Sequence, residues 1–147
     1  RENPLLLSGL AFAGANRRGS ARLDEDDGIL TAEEVAGLNL NGVEWAVLSA
    51  CDTGFGEIRA GEGVFGLRRA FQVAGARTVI TSLWKVPDEA TKELMLDFYR
   101  RMWAEKEPKW QALWEAKMRL RDAKDERGQP LYGTRDWAGW VLTGDPD

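Results

Sequence analysis

Residues 43–54 read V-E-W-A-V-L-S-A-C-D-T-G. Residues 43–50 form a near-continuous apolar run of strand length. Such a run predicts a central parallel strand covered on both faces. It ends at Cys51, the only cysteine in 147 residues. Asp52-Thr53-Gly54 then supplies the residues of a turn. In open α/β sheets, sites form outside the carboxyl ends of the strands. The first question is therefore whether the Cys51 thiol does chemistry.

Elements of both kinds extend outward from this strand. Upstream, L-L-L-S-G-L-A-F-A-G (5–14) reads as a buried strand ended by glycine. Thr31 and Glu34 form a capping-box pattern, so a short helix is expected to about Leu38. Downstream, V-F-G-L-R-R-A-F-Q-V-A (64–74) fits a helix stopped by Gly75. R-T-V-I-T-S-L-W (77–84) is a second buried strand. Pro87 sits where a helix can begin, with Asp88 and Glu89 in its first turn. Leu94, Met95, Phe98, Tyr99 and Met102 give that helix one apolar face. Pro108 opens a further helix carrying Trp110, Leu113, Trp114, Ala116, Lys117, Met118 and Leu120. W-A-G-W-V-L-T (137–143) is the last expected strand. Strands alternating with helices predict an α/β protein with a mostly parallel sheet. Residues 14–28 and 123–135 are the most loop-like segments, and neither has the length of a domain linker.

Composition narrows the function. The chain is 44% hydrophobic and 30% charged with a net charge of −4, so no basic surface for nucleic acid is indicated. A single cysteine cannot form an internal disulfide, and the apolar runs are too short to span a bilayer. A cytoplasmic protein is expected. Seven tryptophans suggest a well-packed core or an aromatic-lined groove.

The residues alone leave the role of Cys51 open. Ser49 and Ala50 before it and Thr53-Gly54 after it are small enough to leave the sulfur accessible, and backbone N–H groups in the turn could stabilise an oxyanion. Against this, free cysteine often serves as a small core hydrophobe. A thiol also needs a base or a positive field to ionise near neutrality, Asp52 would oppose ionisation, and the chain contains no histidine. G-E-G-V-F-G (61–66) satisfies G-x-G-x-x-G but does not directly follow a strand, and Glu57 and Glu62 would repel a pyrophosphate. D-E-D-D (24–27) reads as a solvated acidic loop rather than a cation site.

L-S-A-C-D-T-G (48–54) resembles the CHAT family, caspase-like cysteine peptidases related to separase and often fused to TPR repeats. The likeness extends to P-L-L-L-S-G-L-A-F-A-G-A-N, D-G-I-L-T-A-E-E-V, G-E-G-V-F-G-L-R-R-A-F, A-G-A-R-T-V-I-T-S-L-W-K-V-P-D-E-A-T and W-A-G-W-V-L-T-G-D-P. It implies a caspase-like three-layer α/β/α sandwich with a mostly parallel sheet. Residues 1–147 would be the C-terminal portion of a single CHAT domain whose N-terminal strands lie outside this chain. It also implies a cysteine endopeptidase with a Cys–His dyad, in which Cys51 is the nucleophile. The family histidine lies in a His-Gly turn upstream of the segment matching P-L-L-L-S-G-L, so it is expected before Arg1. The rival expectation is a non-catalytic interaction module on the same scaffold, a pseudopeptidase.

By likeness to other caspase-fold enzymes, Ser82, Leu83 and Trp84 are candidates for pairing with an extended substrate. Trp84 reads equally as a core residue. Ser49 is a candidate for lining the primary pocket. Asp52 is a candidate for selecting a basic substrate residue, with a turn-forming role as the alternative. No cofactor and no metal are called for. The implied partners are a protein or peptide substrate, the N-terminal part of the domain, and a TPR region of the same polypeptide or a regulatory partner. Neither nucleic acid nor membrane is among them.

Overall fold

The computed structural model describes residues 5, 8–20, 26–49 and 62–147. Among these, five strands and five α-helices follow one another, with a 3-10 helix at Ala15–Ser20. The first pair of strands is a ribbon. β1 (Gly9–Ala11) runs antiparallel to β2 (Ile29–Thr31). α1 (Ala32–Ala36) starts directly from β2, capped as its sequence predicts. Glu34 N–H donates to Thr31 Oγ1, and Thr31 N–H donates to the Glu34 carboxylate.

The long apolar run forms β3 (Trp45–Leu48), α2 spans Glu62–Val73, and β4 is Thr78–Ser82. β3 and β4 pair in parallel, with Leu48 opposite Thr81. Gly75 ends α2 with φ +112, and a Cβ there would stand 2.6 Å from Asn41 Oδ1. Only glycine fits that turn without strain.

After β4 the chain makes two long helices. α3 (Asp88–Trp103) and α4 (Lys109–Asp122) follow Pro87 and Pro108, as the two prolines predict. Then come the one-turn α5 (Thr134–Trp137) and β5 (Trp140–Gly144). β5 pairs antiparallel with β4, so the sheet order is β3-β4-β5.

The expectation of a mostly parallel sheet is therefore corrected. The fold is mixed α/β, and among the described residues only β3 and β4 are parallel. The reason lies in the connections. One helix between two strands returns the chain to the end where it began, which gives a parallel pair. Between β4 and β5 the chain goes down one long helix and up another, so the next strand must run the other way. Two further readings change. Among the described residues, the buried strand expected over 5–14 is the three residues of β1, with Ala11 and Phe12 exposed, and β2 was not foreseen. The central strand of the described sheet is β4, buried at every residue, whereas β3 is half-buried at its side. An apolar run signals covered faces but does not distinguish centre from edge.

Side-chain alternation divides the sheet between two cores. On one face Ile80, Val47, Trp140 and Leu142 meet Leu94, Phe98, Ala112, Leu113, Ala116 and Leu120 from α3 and α4. A second core joins Ala32, Val35, Leu67 and Ala70 of α1 and α2, with Leu10 and Leu30 of the ribbon and Leu48 of β3 packed against it. The seven tryptophans divide as well. Trp140 is fully buried, Trp84 and Trp137 pack against the same core, and Trp45 is half-buried. Trp103, Trp110 and Trp114 are more than half exposed, at 57%, 51% and 54%. Three of the seven therefore add little to the core that their number suggested.

α3 and α4 are also joined by charge. Asp97, buried on α3, accepts from Arg100 at 2.6 Å and Arg101 at 3.0 Å, and Arg119 of α4 lies 3.4 Å away. Burial pushes the Asp97 carboxyl up, but the Arg100 and Arg101 hydrogen bonds and the nearby guanidinium charges outweigh it and hold the group below its ordinary value.

Candidate active site at the carboxyl ends of β3 and β4

The parallel pairing of β3 and β4 puts two carboxyl ends side by side, the place where α/β sheets build sites. Leu48 lies opposite Thr81, so Ser49 and Ser82 are the next residues along their strands. Ser49 is exposed and Ser82 is buried. Cys51 and Asp52, the expected nucleophile and its acidic neighbour, lie outside the described residues. The G-E-G-V-F-G motif runs into the start of α2 at Glu62, while β3 ends at Leu48. Among the described residues, no strand leads directly into that helix.

The chain beyond β4 is firmly held. Leu83 N–H donates to Gly139 O at 2.9 Å, which carries the β4–β5 ladder one step past Ser82. Trp84 Nε1–H donates to Arg135 O at 2.7 Å. The indole lies against Gly139 so closely that a Cβ on Gly139 would stand 2.7 Å from the ring. Trp84 thus takes the packing role that was the alternative to substrate contact. Since Leu83 N–H points to β5, alternation turns the main-chain groups of Ser82 toward the β3 side. Leu83 is thus paired to β5, the main-chain groups of Ser82 turn toward the β3 side, and the Trp84 side chain is engaged from within.

Sequence reading missed the corner opposite this edge. The Asp136 carboxylate accepts from Gly133 N–H at 2.7 Å and fastens the start of α5. Lys117 of α4 donates to Trp140 O at 2.8 Å and to Ala138 O at 3.4 Å. Burial pushes the Lys117 ammonium below its ordinary pKa. Lys117 appears in sequence only as one residue among the expected helix positions. Its target carbonyls are about twenty residues away, so helix periodicity carries no sign of them.

Among the described residues, no cluster of three or more potential metal ligands occurs, and no helix is long and apolar enough to cross a membrane. Asp27 of the acidic D-E-D-D run caps a turn instead, accepting from Ile29 N–H at 2.9 Å.

These features define a mixed α/β domain with helices packed on both sides of its sheet and its candidate site at the carboxyl ends of a parallel strand pair. The chain belongs to the CHAT domain family, whose model matches residues 1–145. That family is related to the caspase-like peptidases. The chain is also similar to tetratricopeptide repeat protein 28 of Mus musculus, at 39% identity over 71 residues, 48% of this chain and 3% of that protein. The Homo sapiens protein of the same name is 41% identical over 71 residues, again 48% of this chain and 3% of the relative. The chain therefore spans only a small part of the curated relatives it matches. No solved structure matches it.

Proposed function

We propose that this chain carries the nucleophile of a caspase-like cysteine endopeptidase, with Cys51 as that nucleophile. The observation that carries the reading is membership of the CHAT family over residues 1–145, and L-S-A-C-D-T-G begins in sequence at Leu48, the last residue of β3. A histidine must activate the thiol, and these 147 residues contain none. The dyad histidine therefore comes from outside them, from an N-terminal portion of the same CHAT domain. The thiolate attacks the scissile carbonyl carbon, and the C–N bond breaks as the imidazolium protonates the leaving amine. Water then hydrolyses the thioester, releasing the acid and restoring the thiol. Backbone N–H groups at Cys51 would stabilise the oxyanion.

An extended protein segment is the substrate class. It would lie along the end of β4, with Ser82 and Leu83 as its contacts. Ser49 would line the primary pocket, and Asp52 would favour a basic residue before the scissile bond. The relatives are tetratricopeptide repeat proteins by name, and a TPR region of the same polypeptide is the proposed regulatory partner.

The test is labelling of the full-length protein with a peptidyl acyloxymethyl ketone, followed by peptide mapping. Label at Cys51, lost together with cleavage in Cys51→Ala, is the expected result. A folded, activator-supplied protein that is unlabelled and retains its cellular activity as Cys51→Ala would refute it. That outcome would leave the second reading, a non-catalytic CHAT module that binds partners.

A further inference from the structure

The segment after β4 is gripped by one compact corner. Between Arg135 and Trp140, four consecutive constraints meet. Arg135 O accepts the Trp84 indole N–H, and Gly139 O accepts Leu83 N–H. Gly139 has no side chain and so admits the Trp84 ring. Lys117 holds the carbonyls of Ala138 and Trp140 from below. The corner is itself anchored to the core, because Trp137 packs against it and Trp140 is fully buried within it. The Trp84 ring and the Leu83 N–H both face this corner, and the main-chain groups of Ser82 turn toward the β3 side.

We infer that the Arg135–Trp140 corner sets the position of the main chain at Ser82 and Leu83, with Trp84 acting as a positioning residue and Gly139 as its socket. This rests on the peptidase reading for its consequence in substrate binding, and on geometry alone for the coupling between Trp84, Gly139 and Leu83. A wall of a specificity pocket would discriminate among substrate side chains. A positioning residue acts on every substrate alike, because it sets the main chain that all of them share.

The experiment uses the full-length protein with Trp84→Phe, Gly139→Ala and the pair Trp84→Leu/Gly139→Ala, at temperatures where each is fully folded. Trp84→Phe removes the indole N–H together with the five-membered ring that carries it, and keeps a smaller aromatic ring. It should speed hydrogen exchange at the Leu83 amide about five- to tenfold, the loss expected for one hydrogen bond. It should raise KM by a similar factor across a peptide library, with kcat within about twofold and the residue preference unchanged. Gly139→Ala should do the same or more, and Trp84→Leu should partly restore it by vacating the space the new methyl needs. A changed residue preference in Trp84→Phe, or additive effects of the pair, would overturn the inference. If the unsubstituted protein neither cleaves peptides nor is labelled at Cys51, the peptidase reading fails. Leu83 exchange then decides the corner by itself: unchanged exchange in both single variants overturns the coupling, and faster exchange upholds it.

Discussion

Asp97→Asn tests the joint between α3 and α4. Asp97 is 5% exposed, and its carboxylate accepts from Arg101, whose side chain is 17% exposed. A largely shielded charge-assisted hydrogen bond of this kind contributes about 1.5–3 kcal/mol. Arg100 stands in solvent, and its bond is screened. Asparagine keeps the volume and one acceptor, so the loss is mainly that of charge, about 2 kcal/mol. For a protein of this size that lowers Tm by about 4–8 °C. The pH dependence separates charge from shape. The folded carboxyl lies below its ordinary value of 3.8, so its contribution is complete above that value and is lost as pH falls through the folded pKa. Denaturant unfolding at pH 7 and at successively lower pH should show the gap between the two proteins closing below about pH 4. A gap under about 0.5 kcal/mol at pH 7, or one that persists undiminished to pH 2.5, would refute the account, because either result means the charge is not what holds the helices.

Two further outcomes follow from local geometry. Thr31→Ala removes the side-chain acceptor for Glu34 N–H and one partner of the Glu34 carboxylate; a loss of about 1 kcal/mol in equilibrium unfolding is expected. Gly75→Ala forces a side chain into a left-handed turn beside Asn41 and should cost about 1–3 kcal/mol, with far-UV circular dichroism unchanged.

The parts of the fold legible in the sequence are those set by neighbours in the chain. The capping box at Thr31 and Glu34, the two proline-led helices and the stop at Gly75 each depend on a few adjacent residues, and each is found where it was expected. The apolar runs at 43–50 and 77–84 gave the strands for the same reason. Strand direction was not legible, because it follows from how many long helices lie between two strands. Treating α3 and α4 as one alternation step with β5 is what produced the parallel expectation. β1 and β2 were misread because a three-residue ribbon leaves no period long enough to detect. At the site, Ser82 ends β4 beside the end of β3, and Trp84 takes the core role that was the alternative to substrate contact. Its indole reaches a carbonyl 51 residues along the chain, and only the fold brings the two together.

That last point bears on how the candidate site should be read. A tryptophan two residues past a sheet strand looks in sequence like substrate-binding surface, because aromatic side chains at strand ends are often exposed. Here the surrounding chain contains a glycine where any other residue would collide with the ring, and a half-buried lysine that steadies the carbonyls on either side of that glycine. A lysine whose burial depresses its pKa carries a desolvation cost, and the fold retains it where it donates to two main-chain carbonyls. That cost is spent on a corner with no other evident task than to hold β5 and the residues after β4 in register. On the peptidase reading, a peptide lying along residues 82–83 would meet a main chain already fixed in place, which spares the ordering cost that a loose segment would impose on binding.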